Sequence, residues 1–133
     1  MTDHPRHSVI AVVDDDQRIL ESVEILLKSE DLDVRLFACP TALLASGCLG
    51  EIDCLISDVG MPVMNGFELV RVVQAERPGL PIILVTGCTD MLNRPPLDCL
   101  GQYRVFKKPF NGQELLAAVG DALRNEDGWG DDR

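Results

Sequence analysis

Five short apolar runs alternate along the chain with stretches in which apolar residues recur every three or four positions. The runs are Val9–Val13, Val34–Phe37, Cys54–Ser57, Ile82–Val85 and Arg104–Phe106. Runs this short, bounded by polar and turn-forming residues, read as strands buried on both faces, and the longer periodic stretches read as helices. Ile19, Leu20, Val23, Leu26 and Leu27 predict a first helix over roughly residues 17 to 29, with Asp16 as its cap. Pro40 opens a second helix whose apolar face is Leu43 and Leu44, before Gly47 and Gly50 loosen the chain. Phe67, Leu69, Val70 and Val73 share one side of a third helix, which Pro78 and Gly79 end. The final helix starts at Asn111, whose side chain caps it with Glu114 in the capping-box position. Leu115, Leu116, Val119 and Leu123 are its predicted buried stripe.

A strand-helix unit repeated five times predicts an α/β fold, a doubly wound five-stranded parallel sheet with helices on both faces. Five strands fit the flavodoxin-like order 2-1-3-4-5, which puts the topological switch between strands 1 and 3. In such a sheet the carboxyl ends of the strands form the ligand crevice. Residues far apart in the chain converge there. Strand 1 ends in Asp14 and Asp15, strand 3 in Asp58, strand 4 in Thr86 and strand 5 in Lys108. Three carboxylates make a hard-oxygen site for Mg2+, a hydroxyl donates to a phosphoryl oxygen, and an ammonium neutralises the remaining charge. That set points to phosphoryl chemistry.

Composition narrows the partners. The 133 residues suit one domain with a single well-buried interior. The formal net charge is −10, which disfavours direct nucleic-acid binding and leaves proteins and cations. The polar start lacks the apolar stretch of a signal peptide, and no run approaches the roughly 18 to 20 residues of a membrane span. A cytoplasmic protein without membrane contact is expected. Cys39, Cys48, Cys54, Cys88 and Cys99 are odd in number and form no Cys-x-x-Cys pair, so they read as reduced, mostly buried small hydrophobes. His4 and His7 have no partner at ligand spacing, and residues 1–7 read as a disordered N-terminal segment.

Four segments, each at a strand end, carry a family resemblance: Val12-Val-Asp-Asp-Asp16, Ser57-Asp-Val-Gly-Met-Pro62 with Gly66, Val85-Thr-Gly87 and Lys107-Lys-Pro-Phe110. In this order they resemble the receiver domain of two-component response regulators, over residues 8–124. The resemblance implies that Asp58 is the phosphoacceptor, charged by a sensor histidine kinase or phosphotransfer protein. It implies that Asp15 binds Mg2+ directly, Asp14 partly through water, and Asp58 and the Gly60 carbonyl complete the ligands. Thr86 would hydrogen-bond the phosphoryl group. Lys108 would pair with a carboxylate at rest and with phosphate after transfer. The implied product is a signalling protein rather than an enzyme, promoting only its own Mg2+-dependent phosphorylation and dephosphorylation.

Two features depart from the pattern. Where the family usually carries an aromatic residue three positions before the lysine, this chain has Val105, with Phe106 turned to the other side of the sheet as core. Between Thr86 and Gly101, where the family has helix 4, Pro95 and Pro96 predict a short, displaced or missing helix, since an interior proline costs about 3 kcal/mol. Output is therefore expected through protein contacts of an unusual kind, to an unknown downstream protein, from a monomer or weak dimer. Residues 125–133 read as an acidic flexible tail, which makes the receiver stand-alone. The alternative is a phosphorylation-independent adaptor on the receiver fold. A metal-dependent phosphohydrolase fits less well, because its second aspartate would fall at Gly60.

Overall fold

The apolar runs become strands almost residue for residue. The computed structural model describes residues 8–60, 66–86, 103–107 and 111–124. In chain order these form β1 (Val9–Val13), α1 (Gln17–Lys28), β2 (Asp33–Phe37), α2 (Pro40–Ser46), a 3-10 turn (Cys48–Gly50), β3 (Cys54–Asp58), α3 (Gly66–Glu76), β4 (Ile82–Thr86), β5 (Tyr103–Lys107) and a closing helix (Gly112–Arg124). All strands are parallel, in the order β2-β1-β3-β4-β5. The expected order is observed.

Every residue of β1, β3 and β4 is buried, because helices cover both faces of the sheet. Alternation along each strand then divides the interior in two. Ala11, Val13, Leu55, Ile82 and Leu84 face Leu43 of α2 and Leu69, Val70 and Val73 of α3. Ile10, Val12, Cys54, Ile56 and Ile83 face Leu20, Val23 and Leu27 of α1 and Ala118 and Val119 of the closing helix. Phe106 packs half-buried on this second cluster, as its place in β5 predicts.

The strands run slightly further than their apolar runs. β3 takes in Asp58 and β4 takes in Thr86, because the ladder continues through polar residues: Asp58 pairs with Val85 and Thr86 with Lys107. The backbone N–H of Asp33 bonds Ser8 O at 2.9 Å, which starts β2 one residue early. Ladder bonds, not side-chain polarity, set these ends.

Helix ends follow their local chemistry. Asp16 Oδ1 accepts from the Arg18 N–H at 2.9 Å and opens α1, and this bond holds the Asp16 carboxyl below its ordinary range. Asn111 Oδ1 accepts from the N–H groups of Gln113 and Glu114, at 2.8 and 3.1 Å. Gly47, at φ 75°, ends α2 in the left-handed conformation that glycine tolerates best.

One expectation needs correction. In the closing helix, Ala118 and Ala122 are buried beside Leu115 and Val119, while Leu116 and Leu123 sit half-buried at the rim. Small side chains let the helix approach the sheet closely, which pushes the longer leucines to the edges. Among the cysteines, read as mostly buried, Cys39 is exposed at the cap position of α2, with its Sγ 3.2 Å from Thr41 Oγ1. That contact draws the Cys39 thiol below its ordinary value. Cys48 and Cys54 are buried free thiols as expected, and burial pushes Cys54 up to about 12. The readings of residues 1–7 and 125–133 as disordered, of residues 88–100 as a broken helix, and of Cys88, Cys99 and Lys108 fall outside the described residues.

The cap and the thiols generate two measurements. Asn111→Ala is expected to lower stability by about 1 kcal/mol in urea unfolding, the usual cost of losing an N-cap side chain. Brief alkylation at pH 8 followed by peptide mapping should find Cys39 modified and Cys48 and Cys54 unmodified until the chain is unfolded.

Candidate functional site

The three acidic positions converge because of how β1 and β3 end. At the top of β1 the chain turns sharply: the Asp14 N–H donates to Phe37 O at 3.1 Å, and Asp14 Oδ1 accepts from the Asp16 N–H at 2.9 Å. This turn buries Asp14, at 1% exposure, and leaves Asp15 exposed at the rim. Asp58 ends β3 at 6% exposure, and the next N–H, that of Val59, donates to Val85 O at 2.9 Å. Because β1 and β3 are neighbours, with Val13 paired to Ser57, their ends face each other. Ligand oxygens of Asp14, Asp15 and Asp58 all lie within 4.8 Å of one another.

Thr86 lies one strand further along, at the buried end of β4. Gly60 stands two residues past Asp58, exposed, with open space where a Cβ would be. Lys108 follows β5 directly in the chain and lies outside the described residues. Val105 holds a β5 position paired with Leu84. Thus Asp14, Asp15 and Asp58 are brought together at the switch point, and Thr86 ends the adjacent strand.

Like charges this close repel, most strongly where burial removes water. A small divalent cation relieves that repulsion. The donors are hard oxygens, two sunk into the crevice and one at its rim, which is the set Mg2+ takes while keeping several of its waters. The arrangement leaves a nearly buried carboxylate, Asp58, beside a cation site and within one strand of a hydroxyl.

Ser57 was not singled out from sequence. It is fully buried, and its Oγ donates to the Asp58 carbonyl at 3.0 Å. The available signal was a hydroxyl closing an otherwise apolar strand, directly before the acidic residue.

The family profile described as the response regulator receiver domain matches residues 10–120. The chain belongs to this family. Among curated relatives, the response regulator protein TmoT of Ectopseudomonas mendocina is 35% identical over 119 residues, covering 90% of this chain and 54% of that protein. The chain therefore spans about half the length of the curated relatives it matches. The solved chemotaxis protein CheY4 of Vibrio cholerae superposes with a TM-score of 0.79 at 30% identity, over 89% of this chain and 100% of that one. A receiver domain described as BeF3-activated DrrB superposes at 0.77 and 29% identity, over 90% of this chain and 99% of that one. Receiver domains serve phosphorylation-based two-component signalling, bind Mg2+ through an acidic pocket and are not enzymes in the ordinary sense. Histidine kinases and phosphotransfer proteins are the kinds of partner this family implies. No helix among the described residues is long and apolar enough to cross a membrane.

A metal-linked stability follows from the crowded acids. Mg2+ at a hundredfold excess over its dissociation constant is expected to stabilise the fold by about 2.7 kcal/mol, read as a rise in melting temperature over chelator-treated protein. Asp15→Asn should raise the melting temperature of the metal-free protein and shrink the Mg2+ response. No change in either measurement contradicts the metal site.

Proposed function

We propose that this protein accepts a phosphoryl group on Asp58 from a phosphohistidine of a sensor histidine kinase or phosphotransfer protein, and signals through protein contacts. The observation that carries this reading is the meeting of the Asp58, Asp14 and Asp15 ligand oxygens within 4.8 Å at the switch point of the sheet. A lone aspartate after a strand is ordinarily a turn or cap residue. Asp58 instead ends a buried strand opposite two further carboxylates.

In the proposed reaction a carboxylate oxygen of Asp58 attacks phosphorus in line with the P–N bond of the donor. The new O–P bond forms an acyl phosphate, the P–N bond breaks, and the departing imidazole keeps its electron pair. Asp15 and Asp58 would hold Mg2+ directly, Asp14 partly through water, and the Gly60 carbonyl would complete the protein ligands. When bound, Mg2+ neutralises charge on the phosphoryl oxygens and lowers the repulsion between nucleophile and donor. Thr86 would donate its hydroxyl to a phosphoryl oxygen. Lys108 would pair with a carboxylate at rest and with the phosphate afterwards, and water attack on phosphorus would return Asp58 to its free form.

The burial of Asp58 suits this work. Low exposure limits water at the acyl phosphate, while Asp15 and Gly60 at the rim leave a route for donor and solvent. The net charge of −10 disfavours direct contact with nucleic acid, so the downstream partner is inferred to be a protein.

The deciding measurement is intact-protein mass spectrometry after treatment with acetyl phosphate and Mg2+. Wild type is expected to gain one phosphoryl group, and Asp58→Asn to gain none, because the amide keeps the shape but loses the nucleophilic charge. Beryllofluoride should bind wild type in a Mg2+-dependent manner and fail on the variant. Full labelling of Asp58→Asn at Asp14 or another neighbour overturns the assignment.

A further inference from the structure

Ser57 is a fully buried hydroxyl in an apolar layer. Leu55 and Val59, two residues before and after it, belong to the cluster on the α2 and α3 side, as do its register neighbours Val13 and Leu84. A buried hydroxyl is costly there unless its hydrogen bond is made. The bond it makes is to the carbonyl oxygen of Asp58, at 3.0 Å. The N–H of that same peptide group, on Val59, donates to Val85 O at 2.9 Å. The peptide that follows Asp58 is therefore held at both edges, by a side chain at its oxygen and by strand β4 at its nitrogen.

We propose that Ser57 is a positioning residue whose hydroxyl locks the Asp58–Val59 peptide, holding the Asp58 carboxylate against Asp14 and Asp15 and directing the chain toward Gly60. The orientation of that peptide plane sets ψ of Asp58. A tilt about the Cα–C bond of Asp58 displaces Gly60, and because β4 holds the Val59 N–H, part of the tilt is taken up at the Asp58 Cα that carries the carboxylate. Groups that orient a metal ligand without touching the metal are worth about 10- to 100-fold in affinity or activity, and a displacement of about 1 Å at a reacting group costs about 100-fold. The inference rests on the phosphoacceptor reading of Asp58, but its metal-binding consequence is measured separately.

The test compares Ser57→Ala, Ser57→Cys and Ser57→Thr with wild type. Threonine keeps the hydroxyl, cysteine keeps the size with a weak donor, and alanine removes the donor. Asn111→Ala, remote from the crevice, serves as a variant that loses stability alone. Mg2+ affinity is measured by titration calorimetry, and phosphorylation by mass spectrometry at saturating Mg2+ and acetyl phosphate. Ser57→Ala is expected to weaken Mg2+ binding and slow phosphorylation by about tenfold each, with Ser57→Cys intermediate and Ser57→Thr near wild type. Asn111→Ala should melt lower yet be phosphorylated at the wild-type rate. Wild-type behaviour of both Ser57→Ala and Ser57→Cys overturns the proposal, as does a Ser57→Thr variant no better than alanine, since volume rather than the hydroxyl would then decide. Should Ser57→Ala fail to fold, the contrast between cysteine and threonine still decides. If wild type takes up no phosphoryl group, the proposed function fails, and the Mg2+ titrations alone judge the role of Ser57.

Discussion

The parallel pairing of β1 with β3 is the constraint on which the site depends. It sets the ends of the two strands side by side, so that the chain leaving β1 and the chain leaving β3 each deliver carboxylates to one crevice. Crowding acids in this way is unfavourable without a cation. The sheet can hold them because every residue of β1, β3 and β4 is buried against helices on both faces. The apolar layers supply the stability, and the crevice draws on it at the carboxyl ends of the strands.

Both ends of β3 carry side-chain bonds to backbone that serve this pairing. At the start of the strand, the Asp53 N–H donates to Val9 O at 2.7 Å, and Asp53 Oδ2 accepts from the Val9 N–H at 2.8 Å. That reciprocal pair ties the first residue of β1 to the residue just before β3. Nearby, the Arg77 guanidinium, beyond the end of α3, bonds the carbonyls of Leu49 and Ile52. It ties the chain after α3 to the approach to β3. At the other end, Ser57 and Val85 hold the peptide after Asp58.

How much of this was readable from sequence depended on whether a signal is local. Strands covered on both faces appear as unbroken apolar runs, so β1, β3 and β4 were visible together with their order. The caps at Asp16 and Asn111 were legible because a short polar side chain before a periodic stretch bonds groups two or three residues away. The three acids and Thr86 were legible because strand ends converge in this topology. Other features have no spacing signature. The start of β2 at Asp33 is set by the bond from its N–H to Ser8 O. The choice of Ala118 and Ala122 over Leu116 and Leu123 for the deepest positions depends on the distance between helix and sheet. That Cys39 is the exposed one was not legible, because a cysteine beside Pro40 carries no sign of which way the cap turns. The contacts of Ser57, Asp53 and Arg77 depend on residues that only the folded chain brings near.

The bonds of Asp53 act at a distance through register. The side-chain period of a strand is two, so a slip of one residue between β1 and β3 would turn Asp58 from the crevice toward the opposite face and expose half of each apolar layer. Burial alone resists that slip strongly in the middle of the sheet. At its ends, where the ladder stops, the resistance falls to individual bonds. Asp53 and Ser57 stand at those two ends, separated by the length of β3, about 3.3 Å per residue. Asp53 sets where the strand begins relative to Val9, and Ser57 sets how the chain leaves it after Asp58. The bond pair at the far end of the strand and the hydroxyl beside Asp58 thus both bear on where a carboxylate that must meet two others within a few ångströms comes to lie.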